Sequence, residues 1–427
     1  MNKKQIYSWA LYDWANSAFA TTVMAGFFPI FFSQYWSNPD NLSVSTFYLG
    51  LGNSVASLIV ALLAPILGAI ADRGSFKKKF LIFFAFLGIV MTLGLGFIAQ
   101  GMWPIALMVY IFSTIGFSGA NIFYDSLLPS VSNEENVDDV SALGFSLGYL
   151  GGGVLIIINF LMISYPTSFG LVDAVEATKY AFISVGVWWA LFSLPLILFV
   201  DEPKYHESES VSDSIINGLI QFRNTFNDLK KLKVVATFLL AYWLYIDGVD
   251  TVVRMAANFA FTLGFDQASI MGALVMIQLV AFFATLIYIK IANFVGLKNG
   301  IYMGILGYCI ILFAGYFVES ITHFYIVALL IGCFQGGIQT ISRSLYSRII
   351  PEKKSAEFYG FYNMLGKFAA VFGVLMGSVT LVLSNVVEDE IKAARFGLLS
   401  IMILFILGAY VFSKVDIKEG EAIAKNL

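Results

Sequence analysis

Twelve long apolar runs constrain the fold of this sequence more than any other feature. Most reach the ~20 residues that an α-helix needs to cross a ~30 Å hydrocarbon core, whereas the strands of a membrane barrel are ~10 residues long and alternate in polarity. Only 12% of the 427 residues are charged, too few to cover a water-facing surface. The sequence therefore predicts an all-α membrane protein with twelve transmembrane helices. The runs lie at residues 9–36, 47–71, 80–100, 104–124, 142–165, 180–200, 234–263, 270–295, 301–318, 324–341, 358–383 and 396–412.

The basic residues predict how these helices are oriented. If the chain starts inside the cell, the inner segments hold most of the Lys and Arg residues, and the outer loops hold only Lys179, Lys392 and Arg395. Because short cytoplasmic loops of membrane proteins are enriched in basic residues, both termini are expected in the cytoplasm. The first outer loop is expected at residues 38–45. Asp13 interrupts the start of the first run, so that run is expected to remain as a membrane helix rather than to be cleaved as a signal peptide.

One long polar connection divides the chain. We expect an N-terminal six-helix half at residues 1–200, a cytoplasmic linker at 201–233, and a C-terminal six-helix half with a short tail at 234–427. Within the linker, apolar residues recur at helical spacing, which is typical of an amphipathic helix on the inner membrane surface. A linker that merely tethers the two halves fits equally well. The recurring residues are Ile215, Leu219, Phe222, Phe226 and Leu229.

The two halves also resemble each other. The first run contains Asp13-x-x-Asn16-Ser17 and the seventh contains Asp247-x-x-Asp250-Thr251, both of the form Asp-x-x-(Asn/Asp)-(Ser/Thr). The fourth and tenth runs both lead to a proline, Pro129 and Pro351, and then to a Gly-containing run. Two six-helix pseudo-repeats with a substrate site near the midplane describe the major facilitator fold of secondary transporters.

The connection between the second and third runs carries a motif. Gly68-Ala-Ile-Ala-Asp72-Arg73-Gly74 and three lysines beginning at Lys77 resemble the Gly-x-x-x-Asp-Arg-x-Gly-x-(Arg/Lys) signature of the major facilitator superfamily, with the second glycine one place early. Gly68 would let helices approach, Asp72 would end a helix, and the basic residues would pair with another helix. We expect a gate made of Asp72, Arg73, Lys77 and Asp125, with Asp125 as the acidic partner of Arg73 or Lys77. Basic residues that only set orientation are the alternative.

Several segments narrow the resemblance further. They are similar to the vacuole-effluxer family, which comprises fungal autophagy-related amino-acid effluxers and their bacterial relatives. This resemblance runs from the first to the eleventh run and implies export of neutral amino acids. The compact loops resemble the bacterial branch, which implies the cytoplasmic (inner) membrane of a bacterium and leaves the substrate open. The segments begin at Tyr12, Phe123, Tyr245, Gly336 and Glu357.

Ionisable residues within the apolar runs are the candidate substrate and coupling residues. Placing a charge in the bilayer costs at least ~2.5 kcal/mol, so such residues usually have a function. Asp247, Asp250 and Arg254 follow i, i+3, i+7 spacing and share one side of a helix. Arg254 can neutralise one carboxylate and leave the other for a proton, a cation or an ammonium group. A purely structural ion pair is the alternative. The further candidates on other runs are Asp13, Asn16, Asn363 and Lys367. Asp13 lies close to the inner boundary, so a gate or a helix-end cap fits it as well as substrate contact does.

Composition and motifs also exclude functions. A formal net charge of -3 offers no basic surface for nucleic acid, and Cys309 and Cys333 lie in apolar runs without partners for a metal. The Gly360 to Lys367 stretch mimics a phosphate loop but lies in a membrane run with the wrong spacing. We therefore expect no enzyme and no cofactor, but a monomeric transporter whose partners are a small solute, the bilayer and protons. Transport of another metabolite or an amphiphile, and a non-transporting sensor or assembly factor, remain alternatives.

Overall fold

The computed structural model describes residues 2–37, 42–203, 211–229, 232–367 and 390–425, and this part of the chain is helical almost throughout. The first helix, α1 (Lys3–Ala18), continues through π-helical and α-helical turns to Trp36 as one span. The helices that follow in the first 200 residues are α2 (Leu42–Gly74), α3 (Lys77–Leu95), α4 (Trp103–Ser126), α5 (Val137–Ser164) and α6 (Ala174–Phe199).

The remaining helices begin in the linker. They are α7 (Val211–Leu229), α8 (Lys233–Thr262), α9 (Gln267–Val295), α10 (Leu297–Tyr316), α11 (Ile321–Ile349), α12 (Ser355–Lys367), α13 (Glu390–Ser400), α14 (Met402–Ser413) and α15 (Ile417–Lys425). Single residues or short turns join most of them.

Eleven helical spans in the described part of the chain are long and apolar enough to cross a membrane. They match eleven of the twelve expected runs, which confirms the all-α membrane class. The remaining run, expected at 358–383, begins as α12, and its residues 368–389 lie outside the described part. Many large apolar side chains on these spans are exposed, as a lipid-facing surface requires. Examples are Phe83, Phe86, Phe283, Phe313 and Ile406.

One expected boundary was wrong. The first outer loop was expected at 38–45, but α2 begins at Leu42 and Ser45 is buried. The tenth helix was expected to lead to Pro351, and α11 ends two residues before it, at Ile349. At both places polar turns extend an apolar run, because a helix can continue beyond the hydrocarbon wherever its polar residues find partners.

The contacts within the chain define two compact units. Unit 1 contains residues 1–132, 147–219 and 356–360; unit 2 contains residues 133–146, 220–355 and 361–427. In unit 1, α1 packs on α6, and α4 packs on α2 and α3. In unit 2, α8 packs on α14, and α11 packs on α9 and α10. Each unit therefore repeats one arrangement, in which the first helix contacts the sixth and the fourth contacts the second and third.

The linker helix α7 has one face of small and polar residues and one face of apolar residues. Its small and polar residues Ser214, Gly218, Gln221 and Thr225 are buried against the protein. Its apolar residues Ile215, Ile216, Leu219 and Ile220 are exposed. Phe222 is half-buried and stacks on Phe361 with ring centroids 6.0 Å apart, while the side chains of Phe226 and Leu229 lie outside the described set. The placement of α7 on a membrane surface stays a prediction.

Candidate functional site

The most completely built polar contact lies in unit 1 at the end of α2. The Asp72 carboxylate is 1% exposed. Its Oδ1 accepts the backbone N–H of Ala356 at 3.1 Å and its Oδ2 accepts that of Glu357 at 2.8 Å. These two amides belong to the first turn of α12, where N–H groups have no acceptor within their own helix. Asp72 therefore caps α12, and its negative charge lies at the positive end of that helix.

Two glycines allow this close approach. A Cβ at Gly68, one turn before Asp72, would overlap the backbone of Ala356 and Glu357. A Cβ at Gly360 would lie 2.6 Å from the carbonyl oxygen of Ala64. Any larger residue at either position would push the helix backbones apart. The spacing from Gly68 to Asp72 thus places a close contact and a cap on the same face of α2.

A lysine and a glutamate extend the cluster. The Lys77 ammonium lies 3.1 Å from Asp72 Oδ1, and both side chains are buried. Glu202, which the sequence analysis missed, accepts the backbone N–H groups of Lys77 at 2.8 Å and Lys78 at 3.0 Å. It caps α3, whose own N-cap residue, Phe76, supplies no side-chain acceptor. Burial raises the pKa of the Glu202 carboxyl, although these two hydrogen bonds favour its charged form.

The other two expected gate residues are placed as follows. Asp125 is buried in the last turn of α4, and Arg73 is partly exposed at the end of α2. Both make contacts. The pairing of Asp125 with Arg73 or Lys77 stays a prediction.

A second polar cluster surrounds Asp13 in α1, also within unit 1. The Asp13 side chain is 9% exposed. The Tyr124 hydroxyl of α4 donates to its Oδ2 at 3.3 Å, and the Ser17 hydroxyl lies 3.5 Å from its Oδ1. Tyr124 is itself held by the Trp9 ring, which stacks on it at 4.4 Å. A carboxylate of the first membrane span thus faces hydroxyl groups from its own helix and from α4.

The neighbouring turns of the first span are polar and irregular. The amide of Asn16, which is buried, donates to Asn121 Oδ1 of α4. From Phe19 to Phe27 the span is π-helical, a geometry that appears frequently at functional sites. The Thr21 hydroxyl lies within the π-helical stretch and donates to the carbonyl oxygen of Ser17 at 3.0 Å. This π-helical segment was not expected from the sequence.

The equivalent motif in unit 2 lies in α8. Asp247 is 1% exposed, Thr251 is buried, and Asp250 is partly exposed. The helix is continuous through all three residues and through Arg254, so the expected shared face is present in the backbone. The Arg254 side chain lies outside the described set, and its pairing with a carboxylate stays a prediction.

An aromatic stack of unit 2 lies beside the remaining candidates. The Tyr362 ring of α12 stacks on Tyr242 at 4.0 Å and on Tyr346 at 4.9 Å. Asn363, the next residue, is partly exposed. Lys367 is the last residue of α12, and its side chain lies outside the described set.

A buried arginine of unit 2 was not among the site residues expected from the sequence. Arg343 is 2% exposed. It donates from Nε to the Ser141 hydroxyl at 3.0 Å and from Nη2 to the Ser141 carbonyl at 2.9 Å, and its guanidinium lies 3.9 Å from the Phe145 ring centroid. Five residues further along α11, Arg348 pairs with Asp138 at 2.6 Å. Arg343 and Arg348, which were expected among the positive charges of an inner segment, therefore bind the start of α5.

A metal centre has no support in the described residues. No group of three or more His, Cys, Asp or Glu side chains in that part of the chain could hold a metal ion.

The class of protein follows from two features: two helical units that repeat one arrangement, and buried carboxylates within membrane helices. The fold is similar to that of the major facilitator proton:xylose symporter XylE, with a TM-score of 0.71, 16% identity, and coverage of 99% of this chain and 98% of that one. The human organic anion transporter MFSD10 is similar at a TM-score of 0.70 and 12% identity, over 96% of this chain and 99% of that one. The chain has the major facilitator fold.

Sequence comparison identifies the family. The model of the family described as "Vacuole effluxer Atg22 like" matches residues 41–425, so the chain belongs to this family. An uncharacterized MFS-type transporter of Bacillus subtilis, YxiO, is 37% identical and covers 96% of this chain and 95% of its own length. Autophagy-related protein 22 of Yarrowia lipolytica is 22% identical over 88% of this chain and 76% of its own. The chain is therefore a multi-pass membrane protein and a secondary transporter, not an enzyme.

Proposed function

We propose that this protein exports a small polar solute, an amino acid, across the cytoplasmic membrane of a bacterium by proton-coupled alternating access. It acts as a monomer with both termini in the cytoplasm. One observation carries the proposal: Asp13 and Asp247, at matching positions of the two repeats, are both buried within membrane helices. Placing a carboxylate there costs at least ~2.5 kcal/mol, and such residues mark proton and substrate pathways.

The substrate class follows from this chemistry and from the family. An amino acid carries an ammonium group that a carboxylate can bind and a carboxylate that a cation or an amide can bind. Asp250, Asn16 and Asn363 supply polar groups in addition to the two buried aspartates, and Arg254 and Lys367 are candidate cations. The family is described as a vacuole effluxer, and efflux is the direction of transport that we propose.

Proton coupling follows from the second repeat. Asp247 and Asp250 lie one turn apart on α8, so mutual repulsion favours a pair that holds one proton. We assign the proton to Asp247, because its counterpart in the first repeat is Asp13, also an aspartate, whereas the counterpart of Asp250 is Asn16.

The gate of the transport cycle is the Asp72 cluster. The cap on α12, made by Asp72 with Lys77 beside it, is formed in one conformation and broken in the other. Arg73 and Asp125 complete this gate. A ligand that binds the two conformations with different affinity then shifts their populations.

The test is transport by purified protein in liposomes, with and without an imposed pH gradient, using a mixture of radiolabelled neutral amino acids. We expect Asp247→Asn to abolish gradient-driven accumulation while it retains substrate exchange. Asp266→Asn is the matched control, since Asp266 is an exposed residue that caps α9, and it should retain both activities.

Each contrary result removes a defined part of the proposal. Gradient-driven accumulation by Asp247→Asn equal to that of the native protein would exclude Asp247 as the proton site. Transport by the native protein that ignores the pH gradient would exclude proton coupling. Absence of counterflow with amino acids would exclude amino acids as the substrate class. Absence of counterflow with a wider panel of metabolites would favour a non-transporting sensor.

A further inference from the structure

A cavity of about 490 Å³ opens where α10 begins and α14 ends. Three lysines, Lys298, Lys414 and Lys418, line it, with Asp416 as the acidic residue among the lining side chains. All of them belong to unit 2. Three positive charges and one negative charge give the lining a net charge of +2, so it is suited to an anion.

The charged side chains that line this cavity are not paired with one another. The Lys298 ammonium donates to the carbonyl oxygens of Ser413 at 3.1 Å and Val415 at 2.9 Å, and an ammonium has three donors, so one remains. Asp416 accepts the backbone N–H of Glu419 at 3.1 Å and thereby caps α15. Within the described part of the chain, neither Lys414 nor Lys418 forms an ion pair with a carboxylate.

The helices that begin and end at the cavity carry exposed apolar residues. Phe294, in the last turn of α9 and four residues before Lys298, is 91% exposed. On α14, Ile406 and Tyr410 are exposed one turn apart, and the Lys414 ammonium lies 4.4 Å from the Tyr410 ring centroid. An exposed tyrosine with a lysine beside it at the end of a membrane helix is typical of the level of the lipid headgroups. The cationic lining therefore lies at the ends of helices whose exposed apolar residues can contact acyl chains.

We propose that this cavity binds the phosphate headgroup of an anionic phospholipid, with the acyl chains along Phe294, Ile406 and Tyr410. Basic pockets between membrane helices on the cytoplasmic side bind anionic headgroups in this way. The assignment to the inner leaflet rests on the orientation in the proposed function, whereas the headgroup site itself does not. Lys414 and Lys418 contact the headgroup, and Lys298 holds the end of α14 in place beside it.

The experiment measures lipid binding to the purified protein in detergent by native mass spectrometry, without substrate or gradient. The probes are dioleoyl phosphatidylglycerol, dioleoyl phosphatidylcholine and inorganic phosphate. We expect the native protein to retain phosphatidylglycerol in preference to phosphatidylcholine. The double variant Lys414→Gln/Lys418→Gln should bind phosphatidylglycerol about 25-fold more weakly, at about fivefold for each lysine near an anionic surface.

A matched control separates this site from net charge. Lys353→Gln/Lys354→Gln removes two lysines from the turn before α12 and should leave lipid binding unchanged. Lys414→Arg/Lys418→Arg keeps the charge and should keep the lipid, which distinguishes a lost site from a misfolded variant.

Any of three results would overturn the proposal. The first two are equal loss of lipid in the two glutamine variants and equal retention of phosphatidylcholine and phosphatidylglycerol. The third is displacement of the lipid by millimolar phosphate, which would indicate a site for a soluble anion. A transporter that fails the amino-acid test would leave this lipid measurement unaffected, so the two failures are distinguishable.

Discussion

Replacing Asp72 by asparagine tests the cap on α12 directly. Asparagine has nearly the same shape, but it offers one acceptor oxygen in place of two and carries no charge. One of the two bonds to Ala356 and Glu357 is lost, the other becomes a bond to a neutral acceptor, and the Lys77 ammonium loses the carboxylate 3.1 Å away.

The magnitude can be worked from these contacts. Hydrogen bonds to a charged group contribute about 1.5–3 kcal/mol and neutral ones about 0.5–1.5 kcal/mol, and breaking a buried ion pair costs about 3–5 kcal/mol. Asp72 and Lys77 are 1% and 2% exposed, so solvent screens their interaction little. We estimate a loss of about 3 kcal/mol from the capped conformation, which reduces its population relative to the uncapped one about 100-fold.

Hydrogen exchange measures this change. The amides of Ala356 and Glu357 lie in the first turn of α12 and are protected by Asp72, so their exchange reports the cap. We expect the peptide that covers residues 355–360 to exchange about 100-fold faster in Asp72→Asn, while peptides from the centre of α4 keep their protection. Unchanged exchange at residues 355–360 would refute the cap as a stabilising contact.

Two glycine substitutions provide an independent test. Gly360→Ala places a Cβ 2.6 Å from the Ala64 carbonyl oxygen, and such overpacking costs about 1–3 kcal/mol, so it should also speed exchange without removing any charge. Gly366→Ala is the matched control in the same helix, since no described atom lies within 4 Å of the added Cβ. Equal exchange in the two alanine variants would contradict the close approach of α2 and α12.

The proposed orientation can be tested with single cysteines in a Cys309→Ser/Cys333→Ser background. We expect Ser168→Cys to react with an impermeant thiol reagent in intact cells and Glu135→Cys not to react. The reverse pattern would show that the orientation is inverted. The partly buried carboxyl of Glu202 predicts a pH dependence: burial raises its pKa above the ordinary value of 4.5, so the folded chain binds this proton more tightly than the unfolded chain. Stability therefore falls as pH rises from about 4.5 through the raised pKa. Glu202→Gln should flatten this fall in a thermal-unfolding series, and identical slopes would count against it.

The sequence predicted the class and most of the fold because the bilayer leaves few choices. A run of about 20 apolar residues must satisfy its backbone within itself, so length and hydropathy identify the helix. The boundaries were less predictable: α2 begins at Leu42, within the outer loop expected at 38–45. Arg343 and Arg348 count only as positive charges of an inner segment until their partners in α5 are known.

The candidate site was only partly predictable, for a related reason. Gly68 and Asp72 were identified from their resemblance to the major facilitator motif, but the partners of Asp72 are backbone amides, which have no signature in a sequence. Glu202 was missed because it is distant in sequence from the α3 amides that it caps. Arg343 has the same charge as a residue that only sets orientation, and its burial against Ser141 appears only in three dimensions.

Burial also constrains how Asp247 can carry a proton. A carboxyl that is 1% exposed exchanges protons with water only after the surrounding helices move. If Asp247 carries the proton, as we propose, its proton uptake and release must follow the conformational change, whereas a site open to both faces would let protons leak through. A variant that shifts the conformational populations without touching Asp247, such as Asp72→Asn, should therefore alter the pH dependence of transport. If that dependence is the same in Asp72→Asn and in the native protein, proton binding at Asp247 is not linked to the gate.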